Sequence, residues 1–147
     1  MNSEVSAGAE RRPIGGEAVY AQCGRPLGPY SQGLSVRGGR TVYVAGQLAL
    51  GPDGKVMYPG DAPAQFRGCM ENIRTILEAG GASLNDLVKV VNYVTKGVDL
   101  DVDYPQIAAI RRELITGEVF PVSTLVVVDA LMQGGLVEVE AIAVTDN

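Results

Sequence analysis

Two carboxylates spaced two residues apart, Glu138 and Glu140, are the strongest pointer to chemistry in this sequence. They lie in the run Leu136–Val144. Alternation there puts Leu136, Glu138, Glu140, Ile142 and Val144 on one face of a strand, with Val137, Val139, Ala141 and Ala143 on the other. Acids among aliphatic neighbours are costly unless a ligand binds there or one of them keeps its proton. A carboxylate held this way suits general-base work on water. None of the 147 residues is histidine, which excludes Ser-His-Asp and Cys-His triads and any His-bearing zinc site. Proton transfer is left to Glu, Asp, Tyr, Lys, Cys or water.

Other chemistry-bearing residues are fewer. Tyr30 sits at a strand entrance in a turn-rich loop, Gly24-Arg25-Pro26-Leu27-Gly28-Pro29-Tyr30-Ser31-Gln32-Gly33, and carries a hydroxyl that needs a partner. Gly54-Lys55 lacks both the earlier glycine and the following Ser or Thr of a phosphate loop. Asp99 and Asp101 sit in no glycine-anchored calcium loop and read as solvated. Cys23 and Cys69 lie far apart and form no CxxC pair, as expected for a reducing cytoplasmic setting. Net charge is −5 and the pI about 4.7, so there is no basic field for nucleic acid. No apolar run approaches the ~18 residues of a membrane span, and the start, Met1–Gly16, has no signal-peptide core.

The elements that must position these groups follow from period and punctuation. Residues 1–20 read as a loose leader. Strands are predicted over Ser31–Arg37 and Thr41–Leu48 around a Gly38-Gly39 hairpin turn, with Gly46 marking a bulge or a close approach. A helix starts at Asp61, with Pro63 in its first turn and a core stripe of Phe66, Met70, Ile73, Ile76 and Leu77, and stops at Gly80-Gly81. Leu87–Thr95 is a strand apolar on both faces. A second helix is expected over Asp103–Ile115, with Ile107, Ile110 and Leu114 inward and Arg111-Arg112 toward solvent or a neighbouring chain. Val122–Val128 and Leu136–Val144 are expected to pair across Gln133-Gly134-Gly135. The order ββαβαββ gives a mixed sheet with two helices on one face, an α+β subunit. The other face, left apolar, is expected to bury itself against further copies of the chain.

Four segments carry a resemblance: Leu27-Gly28-Pro29-Tyr30-Ser31-Gln32, Val42-Tyr43-Val44-Ala45-Gly46-Gln47, Ile76-Leu77-Glu78-Ala79-Gly80-Gly81 and Val137-Glu138-Val139-Glu140-Ala141-Ile142-Ala143. In this order, over residues 24–145, the chain resembles the Rid family, the reactive-intermediate deaminases of the YjgF type once called L-PSP endoribonucleases. The resemblance implies a chorismate-mutase-like domain over residues 21–147, a homotrimer with clefts between subunits, and cofactor-free hydrolysis of enamines and imines. It makes Tyr30 and Glu138 the catalytic residues and Ala45, Gly46 and Gln47 part of the pocket wall. The family clamps its substrate carboxylate with the arginine of a Pro-Ala-Arg-Ser segment. Here that segment reads Pro121-Val122-Ser123-Thr124, with Ser123 at the arginine's place, and Ala108 stands for a pocket asparagine.

Serine offers one neutral donor where arginine offers two parallel charged ones. The expected reaction is therefore hydrolysis of a small C–N substrate other than the usual 2-aminoacrylate, one lacking its carboxylate, with Ser123 or Thr124 donating to it. Arg25 or Arg37 could restore the missing charge. The alternative is a non-catalytic trimer that binds a metabolite or protein in the same cleft. Expected partners are a small molecule and further copies of the chain, with no cofactor, metal, nucleic acid or membrane; the acidic charge and the lack of histidine disfavour ribonuclease action.

Overall fold

The computed structural model describes residues 8–146. In chain order these form β1 (Glu10–Ile14), α1 (Glu17–Cys23), β2 (Gly33–Arg37), β3 (Arg40–Leu48), α2 (Ala62–Ala79), β4 (Leu87–Thr95), α3 (Leu100–Leu114), β5 (Val122–Val128) and β6 (Val137–Thr145). From β2 onward the order is the expected ββαβαββ. Within the stretch read as a leader, β1 pairs antiparallel with β2, and Arg11 reaches Asp86 and the Val144 carbonyl. Residues 1–7 lie outside the described residues.

The main sheet has the order β3-β6-β4-β5, with β6 antiparallel to both neighbours and β4 parallel to β5. This corrects both hairpins expected from the sequence. β5 follows a helix, and a strand–helix–strand crossover returns the chain parallel to the strand it left, so β5 docks on β4. β6 then fills the slot between β3 and β4, and Met132–Gly134 is a single 3₁₀ turn in a wider connection. Gly38 and Gly39 do turn the chain, with φ of 71° and 76°, but β2 leaves the sheet to pair with β1.

α2 begins as its sequence requires: Asp61 accepts a hydrogen bond from the Ala64 amide at 3.0 Å, with Pro63 in the first turn. Its stripe of Phe66, Cys69, Met70, Ile73 and Leu77 is buried against Val44, Val90, Val94, Val137 and Val139 of the sheet. Ile76, expected in that stripe, is 37% exposed. α3 starts earlier than expected, because Asp99 caps it by accepting from the Asp101 amide. Ile107 and Leu114 join the same core, so both long helices cover one face of the sheet. The other face carries Tyr43, Lys89, Val91, Tyr93, Glu138, Glu140 and Ile142, and among the described residues no helix covers it. Among the described residues no helix is long and apolar enough to cross a membrane.

Candidate functional site

The Tyr30 loop is stitched to the start of β5. Ser31 donates from its hydroxyl to the Phe120 carbonyl at 2.6 Å and from its amide to the Pro121 carbonyl at 3.0 Å. The Tyr30 hydroxyl accepts from the Leu27 amide at 3.1 Å. A side chain at Gly28 would run into the Tyr104 hydroxyl, so the glycine lets α3 abut the loop. Tyr30 and Tyr104 thereby both line a cavity of about 250 Å³ between α3, the sheet and this loop.

Ser123 lies in that cavity, and the corner beside it is filled by a guanidinium. Arg111 donates from Nη1 to Ser123 Oγ at 3.0 Å and from Nη2 to Asn92 Oδ1 at 2.9 Å. Asn92 in turn donates to Ser123 Oγ at 3.0 Å and to the Thr124 carbonyl at 2.9 Å. Two donors occupy the lone pairs of Ser123 Oγ, which leaves its own proton free for a third group. Arg111 is 3% exposed, has no acidic partner among the described residues, and its Nε finds no acceptor. The Phe66 ring lies 5.5 Å from its Cζ. Burial pushes the guanidinium below its ordinary pKa, and only the Tyr104 phenol opposes the shift.

Arg111 therefore corrects the expectation that Arg111-Arg112 face away from the protein, and with it the premise that the corner has lost its cation. The residues proposed to restore the charge stand elsewhere. Arg25 is 67% exposed and pairs with Glu17, and Arg37 lies in the β1–β2 ribbon opposite Glu10.

The remaining candidates form a second group on the uncovered face of the sheet. β3 bulges between Val44 and Gln47, which brings Gly46 against Glu138; a Cβ at Gly46 would collide with the Glu138 carboxylate. Glu138 is half-buried and has no hydrogen-bond or ionic partner among the described residues. Glu140 accepts from the Tyr93 hydroxyl at 2.8 Å and holds that phenol above its ordinary pKa. Ala45 is exposed on this face beside Glu140, and Gln47 donates to the Ala45 carbonyl at 3.0 Å. Thr124 points away from Ser123 by strand alternation and gives the corner only its carbonyl. The structure thus gathers Tyr30 and Ser123 at the β5 edge, on the helix side, and Gly46 and Glu138 toward the β3 edge, on the open side. Within one chain it does not join them.

Three lining residues escaped the sequence reading: Arg111, Asn92 and Tyr104. Each carries a signal. Arg111 lies four residues after Ile107 and three before Leu114, on the buried stripe of α3, and Tyr104 precedes Ile107 by three on the same side. Asn92 interrupts the helix-facing positions Val90 and Val94 of β4, where a lone polar residue needs a partner. Ala108 is buried and brings no polar atom, so the corner's amide comes from β4 instead. Among the described residues no cluster of His, Cys, Asp or Glu is placed to hold a metal ion.

Comparison with known proteins places this geometry. The family model described as Endoribonuclease L-PSP matches residues 22–145. A RutC family protein of Pyrococcus abyssi is 40% identical over 81% of this chain and 88% of its own length. The 2-iminobutanoate/2-iminopropanoate deaminase of Dermatophagoides farinae is 32% identical over 83% of this chain and 90% of its own. Among solved structures, the Rid-family protein YyfB from Yersinia pestis superposes with a TM-score of 0.78 at 27% identity, over 91% of this chain and 98% of that one. With its fold, its Gly-Pro-Tyr loop and its last-strand glutamate all in the family's order, this chain belongs to the Rid family of L-PSP-type proteins.

Proposed function

We propose that the protein hydrolyses the C=N bond of small imines, and of enamines after tautomerisation, in a cleft completed by a second copy of the chain. The observation that carries this reading is Glu138: a half-buried carboxylate without a cationic or hydrogen-bonding partner among the described residues, kept clear by Gly46. A base so placed can take a proton from water as the water oxygen adds to the imine carbon. The proton that Glu138 takes passes to the imine nitrogen, giving a carbinolamine. Glu138 then takes the carbinolamine's hydroxyl proton and returns it to the nitrogen as the C–N bond breaks, releasing a carbonyl compound and ammonia. Tyr30 and the free proton of Ser123 orient the substrate.

Those donors lie at the β5 edge on the helix side, whereas Glu138 stands on the inner strand β6 and faces the open side, so one chain does not present both to one molecule. A head-to-tail ring, in which the β5 edge of one copy meets the open face of the next, brings them together. Three copies would close it, as the family resemblance implies. The deaminase names of the relatives support the reaction class. The test is release of ammonia and oxo acid from imines generated by an amino-acid oxidase, together with the mass of the native particle. Turnover abolished in Glu138→Gln, from a particle larger than one chain, is expected. A stable complex that never yields product would instead favour the non-catalytic binder.

A further inference from the structure

A charged side chain buried without a counterion is costly, and proteins keep one when something else supplies the opposite charge. Among the described residues Arg111 meets that condition, at the wall of a cavity. Its Nη atoms are held by Asn92 and Ser123, both neutral, so the positive charge is fixed in direction but not cancelled. Beyond the guanidinium the cavity turns apolar, with a floor of Phe66, Val94 and Val137 and walls of Ile107 and Leu125.

We propose that Arg111 is the anion receptor of this pocket and that the pocket selects monocarboxylates bearing a branched aliphatic or aromatic tail. For the reaction proposed above, on which this inference rests, the substrates are 2-imino acids larger than the three-carbon one. A single guanidinium balances a carboxylate, whereas a phosphate dianion would leave a charge buried in an apolar site. Ser123 contributes its remaining proton to the same carboxylate, since both its lone pairs are occupied. A three-carbon acid would reach Arg111 and leave the apolar floor unfilled; a branched tail displaces water from it. The missing arginine at Ser123 is thereby replaced from α3, one element away, rather than lost.

The test uses stable ligands, so that no hydrolysis confounds it: 4-methyl-2-oxopentanoate, pyruvate and the uncharged 4-methylpentan-2-one, titrated calorimetrically into the full-length protein. Loss of one member of a desolvated charge pair commonly weakens binding about thirtyfold or more. The wild-type protein is therefore expected to prefer the branched acid to the ketone by at least about thirtyfold. It is expected to prefer the branched acid to pyruvate by about tenfold or more, since each added methylene is worth roughly that factor in an apolar pocket. Arg111→Met should collapse the acid-over-ketone preference. Replacing a buried charge by an apolar group of similar length is often neutral for folding, and the melting temperature of the free variant checks this. Leu125→Phe, which narrows the apolar end, should reduce the preference over pyruvate and serves should Arg111→Met fail to fold. Undetectable binding of the branched acid, equal binding of acid and ketone, or pyruvate binding as tightly as the branched acid would each overturn the proposal. Glu138 as base is judged separately, on turnover by Glu138→Gln.

Discussion

The two sides of the sheet carry opposite unsolved charges. Among the described residues, Arg111 on the helix side is a cation with neutral partners only, and Glu138 on the open side is an anion with no partner. Each side could have cancelled its charge locally, as Arg67 and Glu113 do on the surface at 2.7 Å. That they do not is what separates a site from a scaffold. The cation is locked by burial and two hydrogen bonds, whereas the anion is left half-open beside a glycine. The rigid side suits holding a ligand, and the open side suits moving a proton.

The largest expected effect breaks the open side. Glu138→Gln keeps shape and removes the base, and loss of a general base typically lowers turnover by about 10²–10⁴-fold; imine-derived ammonia release would show it. Gly46→Ala should come next. The added methyl collides with the Glu138 carboxylate, and a misplacement of about 1 Å can cost up to ~100-fold in rate. If turnover survives unchanged, Glu138 is not held where the reaction needs it.

On the helix side, Asn92→Leu removes one acceptor from Arg111 and one donor from the Thr124 carbonyl. Leaving buried groups unsatisfied costs about 1–3 kcal/mol each, so a lower denaturation midpoint and weakened acid binding are expected together.

Smaller effects sharpen the contrast. The Glu140 carboxylate raises the Tyr93 pKa, so the folded state holds that proton more tightly than the unfolded chain does. The resulting stability is complete below the phenol's ordinary pKa and fades as pH rises through the raised one. Tyr93→Phe should lower stability slightly at neutral pH, where the hydrogen bond to Glu140 is intact, and flatten that alkaline limb, so that the two proteins converge at high pH when stability is measured against pH. Burial pushes the Cys69 thiol up to about 12, with Glu138 adding to the shift. A thiol reagent should therefore label exposed Cys23 in the native protein and reach Cys69 only on unfolding.

Much of the fold was legible because its signals are local. Asp61-Pro63, the stripe from Phe66 to Leu77 and the run Leu87–Thr95 each state their own structure. Strand partners are not local. Gln133-Gly134-Gly135 looks like a hairpin turn, but the partner of β6 is decided by where the α3 crossover leaves β5. The site divides the same way. Tyr30 and Glu138 stand in segments whose order resembles a family, whereas Arg111 was hidden by Arg112: a charged pair on a helix reads as surface, although only one of the two lies on the stripe with Ile107 and Leu114. Ser123 taken alone suggested a lost charge. Its neighbour in space supplies it.

The shared site is tested most directly by subunit mixing. Arg111→Met and Glu138→Gln chains, each nearly inactive on the branched 2-imino acid, are unfolded together and refolded as mixed particles. In a head-to-tail ring, each contact that pairs an intact Arg111 with an intact Glu138 is restored, and at equal mixing about one quarter of contacts qualify. Activity near that fraction of the wild type is expected. Activity no greater than that of the two variants refolded separately would contradict a site built from two copies of the chain.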